Sequence, residues 1–135
     1  MQDLADRLAI RELVESYNDA VMRFDADAWI ANWTDDATWH LPGAGDVHGR
    51  EAILGVWQAA MGQLEFVGFF ASAGPMVIDG DHATGRWYQQ EFLHYPEGRR
   101  VDITGRYEDA YVRMDGHWRF QRRVYEIMSS HEWTV

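Results

Sequence analysis

Ile10, Leu13, Val14, Tyr17, Val21 and Phe24 recur at spacings of three and four, while Arg11, Glu12, Glu15, Ser16 and Asp19 fall between them. This is the stripe of an amphipathic helix. A short second helix is expected over 27–33, with Asp27 as its N-cap and Trp29 and Trp33 paired at i, i+4. "ATWHL" then reads as a strand and "PGAGDVHG" as a glycine-rich loop. A third helix is expected from about Arg50 to Leu64, with Ile53, Trp57, Ala60, Met61 and Leu64 on one face. From residue 66 the period changes. Strand-like runs near 66–78, 82–95, 101–114 and 117–128 are separated by "IDGD", "YPEGRR" and "MDGH", which marks consecutive hairpins and an antiparallel sheet. Helices followed by strands make an α+β domain. A curved sheet wrapped around helices leaves a hollow at its open end, a usual place for a small-molecule site.

Composition narrows the choice of partner. The 135 residues fit one domain, 1–135, with 47% apolar and 14% aromatic residues to build its core. A net charge of −10 repels phosphate backbones and anionic lipid, so neither nucleic acid nor a membrane is an expected partner. Cysteine is absent, which removes disulfides and thiolate chemistry. No signal-like N-terminus or spanning segment is read, so a cytoplasmic location is the expectation. No histidine pair has the spacing of a metal site, and no metal or cofactor is expected.

Two candidate proton-handling groups lie along one side of the first helix, Tyr17 and Asp25, at successive i, i+4 positions with Val21 between them. In an apolar cavity the carboxylate of Asp25 would lose hydration and become a better general base, with Phe24 and Trp29 as its surroundings. The alternative is an aspartate that ends the first helix or caps the second. Tyr17 could polarise a ligand oxygen, or sit in the core with its hydroxyl satisfied elsewhere. His94 is a further proton carrier late in a strand. His40 alternates with Trp39, so only one of the two can face inward. Phe24, Trp33, Trp39, His40, Trp57, Phe70, Tyr88 and Tyr107 are the expected lining of a site for a small hydrophobic or aromatic ligand. The same aromatic load also fits a homo-oligomer interface, dimer or trimer. Arg86, Arg106, Arg122 and Arg123 alternate along the strands and are expected to form solvated or cross-strand ion pairs with Glu91, Glu108 and Asp109.

"AIRELVESYNDAV", "FDADAW", "WTDDATW", "HGREAI", "VIDGDHATGRWY", "GRYEDAYVRMDGHWRF" and "RRVYE" occur in this order along nearly the whole chain. Together they resemble the SnoaL-like branch of the nuclear-transport-factor-2-like superfamily. The resemblance implies three helices on a curved, antiparallel (mixed) sheet that forms a cone around a pocket. It also implies cofactor-free chemistry of the dehydratase, dehydrochlorinase, isomerase or cyclase kind, or a non-catalytic binding module. An accessory role, like that of the small subunit of aromatic-ring dioxygenases, shares the fold. In the dehydratase and dehydrochlorinase pattern an aspartate after helix 1 pairs with a histidine near the start of the first long strand. Asp25 matches the aspartate. The histidine position falls at Phe70, or at Phe69 one residue away, and the dehydratase tyrosine falls at Phe24. His94 lies close to a second histidine of that pattern. The steroid-isomerase pattern places its helix-1 tyrosine at Tyr17 and its two acids near Leu41 and Ala110. The expectation that follows is a lyase or isomerase acting on a hydrophobic, cyclic substrate with Asp25 as base. A binding protein using the same cavity is the alternative.

Overall fold

The stripe of the first segment folds as helix α1 (Gln2–Met22), which buries Ile10, Leu13, Val14, Tyr17 and Val21 against the sheet. In a computed structural model, residues 2–135 are described. They continue as α2 (Ala26–Ile30), β1 (Trp33–Leu41), β2 (Gly45–His48) and α3 (Arg50–Met61). β3 (Phe66–Asp79), β4 (His82–His94), β5 (Arg99–Met114) and β6 (His117–Thr134) follow, with a short 3-10 turn at Pro96–Gly98. The six strands form one open sheet in the order β2-β1-β6-β5-β4-β3. Every neighbouring pair is antiparallel except β1 and β6, which run parallel and make the sheet mixed. No helix among the described residues is long and apolar enough to cross a membrane.

Local chemistry explains the element ends. The β5–β6 hairpin turns at Asp115-Gly116, both with positive φ (53° and 77°), the pairing that suits the twist of a tight hairpin. Helix α2 starts at Ala26 with Asp25, not Asp27, as its cap. Its five residues cannot hold a helix alone; packing of Trp29, fully buried, holds it. Trp29 stacks on Trp57 of α3 with centroids 4.6 Å apart and meets Trp33 at 5.6 Å. The expected Trp29–Trp33 contact therefore exists, although Trp33 belongs to a strand.

Several boundaries differ from the sequence reading: α2 ends at Ile30, and β1 already begins at Trp33. The glycine-rich segment contains β2, because Gly45–His48 pairs with Thr38–Leu41 once the chain has turned back. Helix α3 ends at Met61, three residues early, where Gly62 takes over as C-cap. β6 runs on to Thr134 by pairing with Arg99–Thr104 of β5, a long-range contact that residues 129–134 do not announce by themselves.

Candidate active site

The cavity lies between the concave side of the sheet and the helices, and has a volume of about 200 Å³. Helix α1 contributes Tyr17 and Val21, and α3 contributes Val56, Trp57, Ala60 and Met61. The remaining wall follows from strand parity, since alternate side chains share a face. Trp39 and Leu41 of β1, Val67 and Phe69 of β3, and Leu93 of β4 are all inward-facing and apolar. Tyr107 of β5 and Tyr125 of β6 are cross-strand partners, and their rings lie 4.6 Å apart.

One carboxylate enters this lining. Glu91 shares the inner face of β4 with Trp87 and Leu93, and its Oε2 accepts a hydrogen bond of 2.7 Å from the Tyr125 hydroxyl. Although the residue as a whole is only partly covered, protein surrounds its carboxyl end, and this burial pushes the Glu91 carboxyl up from its usual value against the opposing pull of Tyr125. Gly105 makes the contact possible: a Cβ there would stand 2.3 Å from the Tyr125 hydroxyl, so the phenol reaches Glu91 across a bare stretch of β5. Tyr17 and Tyr107 bring two more hydroxyls. Burial raises the pKa of both, and the nearby Arg123 guanidinium opposes it.

Behind the phenols lies a fully buried ion pair. Arg123 Nε and Nη2 donate to the two oxygens of Asp109 at 2.7 and 3.1 Å. Asp109 also accepts from the Tyr111 hydroxyl at 2.7 Å, which in turn accepts from Trp87 Nε1 at 2.9 Å. Burial pushes the Asp109 carboxyl up while the guanidinium pulls it down. Burial is the larger influence on the carboxyl, and two short contacts to the guanidinium offset part of it. The cross-strand pairing was expected; its complete burial was not. Asp109 faces inward by the unbroken alternation it shares with Tyr107 and Tyr111, and a bulge turns Arg123 to meet it: Ala110 pairs with Arg122 and Tyr111 with Phe120, so Gln121 is the extra residue. The other arginines do meet acids in the open, as Arg86 does with Glu108 at 2.6 Å and Arg122 with Asp46 at 3.4 Å.

Tyr17, Trp39, Trp57 and Tyr107 line the cavity together. The other sequence candidates lie elsewhere. The Asp25 carboxylate caps α2, accepting from Ala28 N at 3.0 Å, with Arg23 3.5 Å away, and it does not border the cavity. A short acid in the turn between two helices is drawn to unpaired amides. Asp25→Ala is expected to cost about 0.5–2 kcal/mol and Asp25→Asn close to nothing, as thermal unfolding would show. Phe24 adopts a left-handed conformation (φ 53°) in that turn and stays exposed over a shallow outer cleft beside Trp57. Trp33 is fully buried in the core behind Tyr17, 6.1 Å away, and Trp39 covers its place in the lining.

Parity disposes of the rest. Phe70 is exposed and Phe69 faces the cavity, so of the two positions for the family histidine the inward one is Phe69. Tyr88 pairs with Ser72 beside Phe70 on the outer face. His40 points out, 2.7 Å from Asp46, because Trp39 takes the inward direction. His94 meets Phe66 in a tilted contact at 4.8 Å and does not border the cavity. Sequence reasoning missed Glu91 as a site residue and placed Tyr125 only among the strand tyrosines of which some would line a pocket. The signal was present: Glu91 has the parity of Trp87 and Leu93, so it shares their inward face. Among the described residues, no group of three or more histidine or acidic side chains is arranged to hold a metal ion.

A SnoaL-like domain model matches residues 2–124. The gamma-hexachlorocyclohexane dehydrochlorinase of Sphingobium indicum is 28% identical over 130 residues, covering 91% of this chain and 83% of that protein. The crystal structure of a type 2 hexachlorocyclohexane dehydrochlorinase superposes with a TM-score of 0.89 at 21% identity, covering 98% of this chain and 91% of the other. A type 3 enzyme from Novosphingobium barchaimii gives a TM-score of 0.87 at 22% identity, with 97% and 92% covered. At those identities the superpositions show the shared fold. With the domain model spanning nearly the whole chain, this protein belongs to the SnoaL-like domain family.

Proposed function

We propose that this chain is a cofactor-independent lyase or isomerase that moves a proton on a small, hydrophobic, ring-sized molecule, with Glu91 as the general base. The observation that carries this reading is a carboxylate inside an aromatic-lined cavity, bonded to a single phenol and with its pKa raised by burial. Such a group is a stronger base than a solvated glutamate and ionises closer to neutral pH. In an elimination, Glu91 takes a C–H proton, the electron pair left behind becomes a double bond, and the leaving group departs with its own bonding pair. In an isomerisation the same proton returns at another carbon. Tyr17 and Tyr107 donate hydrogen bonds to the oxygen or halogen where charge develops. A dry cavity of about 150 Å³ takes benzene, so one of about 200 Å³ fits a single substituted ring. The dehydrochlorinase relatives support the elimination branch.

The test is incubation with a panel of chlorinated cyclohexanes and small cyclic alcohols, following loss of hydrogen chloride or water by mass spectrometry. The expected result is turnover by the wild type and by Asp25→Asn, and none by Glu91→Gln. Turnover that persists in Glu91→Gln removes the proposed base. One observation favours a second reading, a non-catalytic binder. The inward residues at the start of β3, Val67 and Phe69, carry no proton, so Glu91 has no histidine partner there. Ligands bound and released unchanged across the whole panel would establish that reading.

A homo-oligomer, dimer or trimer, is part of the same proposal. Phe66, Phe70 and Tyr88 lie exposed on the outer face of β3 and β4, with Phe92 6.2 Å from Phe70. Phe70→Glu is expected to shift the protein to a smaller species in sedimentation analysis. An unchanged distribution would move the interface away from this patch.

A further inference from the structure

Arg123 is fully buried, and a buried ion pair gives little or no net stability over apolar residues of similar volume. Its placement shows a different use. The guanidinium carbon lies 3.6 Å from the Tyr107 ring centroid, 4.3 Å from Phe120 and 4.6 Å from Tyr17. Asp109 occupies Nε and Nη2, whereas the buried Nη1 has no hydrogen-bond partner. Asp109 is drawn to the other side by Tyr111, so the positive end of the pair is the end that touches the cavity phenols.

We infer that Arg123 is a positioning residue for the cavity: anchored by Asp109, its guanidinium is held against the rings of Tyr17 and Tyr107 and strengthens their hydroxyls as donors to the ligand. The inference rests on the reading of this cavity as the functional site, and it does not depend on Glu91 being the base. The chemistry follows from the ring contacts. A cation against the ring face draws electron density from the phenol, which makes the O–H a better donor. In a site sheltered from water this field is weakly screened. The charged groups that face the two phenols are Arg123 from β6, Asp109 from β5 and Glu91 from β4. At Tyr17 the pull of Arg123 outweighs the opposing push of Asp109.

The experiment replaces the tyrosines by 3-fluorotyrosine and follows their ionisation by fluorine NMR, with Tyr17→Phe and Tyr107→Phe assigning the two resonances. Three proteins are compared: the wild-type chain, Arg123→Lys, and the double variant Arg123→Met with Asp109→Asn. The double variant removes both charges together, so no unpaired ion is left in the core. The expected result is that both phenols ionise at least tenfold more readily in the wild type than in the double variant, with the lysine variant near the wild type. A purely structural ion pair would leave the phenol ionisation constants alone. Equal constants in the wild type and the double variant, or a lysine variant that matches the double variant, would overturn the inference. The turnover test of Glu91→Gln is independent, so either idea can fail without the other.

Discussion

Asp109→Ala is expected to destabilise the protein by about 3–5 kcal/mol, the usual effect of leaving a buried charge without its partner. The arithmetic is severe because small domains are stable by only about 5–15 kcal/mol. Two losses combine. Arg123 keeps its charge, because burial opposes the guanidinium but the attraction of Asp109 and the phenols more than offsets it in the native chain. Without Asp109 the burial cost remains and the largest attraction is gone. The Tyr111 hydroxyl also loses its acceptor, although Trp87 still donates to it. Urea unfolding at neutral pH measures the effect, with Glu108→Ala as the comparison. Glu108 is paired with Arg86 at 2.6 Å on the solvated face, where such pairs contribute about 0–1 kcal/mol. Equal losses in the two variants would show that the Arg123–Asp109 pair is not desolvated in solution.

Glu91→Gln should lower turnover by about 10²–10⁴-fold, the typical contribution of a positioned general base. The amide keeps the shape of the carboxylate, and its oxygen can still accept from Tyr125, so the cavity and its ligand affinity should survive. The pH dependence separates a base from a packing residue. Burial raises the Glu91 pKa above its usual 4.5, so the ionised, active form accumulates only as the pH passes that raised value. The rate should climb with pH through that point in the wild type and lose this limb in the variant.

Stability should run the other way. The folded chain holds this proton more tightly than the unfolded one, so between the two pKa values the native state carries the extra proton. The group's stabilising contribution is complete below the unfolded value and lost as the pH rises through the folded value. Glu91→Gln is therefore expected to be the more stable protein at neutral pH while being the less active, a common trade at functional positions. Thermal midpoints of the two proteins at acidic and neutral pH check the sign; a wild type that gains on the variant as pH rises would contradict it.

Sequence periodicity alone determined the helices, the long strands and the α+β class, because each rests on local properties: a 3.6-residue stripe for α1, alternation in β3–β6, and glycine turns such as Asp115-Gly116. The family was legible in the order of motifs, and β2 was not legible at all. With an oligomer interface as the competing account, the aromatic load raised the expectation of a lined hollow. Its lining was legible wherever alternation ran unbroken, as at Trp39 and Tyr107. The choice of the acid was a tertiary matter. Asp25 follows a perfect stripe, yet the chain turns at Phe24 and spends the carboxylate on the amide of Ala28. Glu91 reads as one more strand acid until the sheet curls and closes Tyr125 over Gly105 onto it. Arg123 was hidden most deeply, since one extra residue at Gln121 reverses the parity that sequence counting assumes. Hydrophobic periodicity records which face is buried on average. Which polar group shares that face depends on register, bulges and cross-strand neighbours, and those are fixed only when distant segments pair.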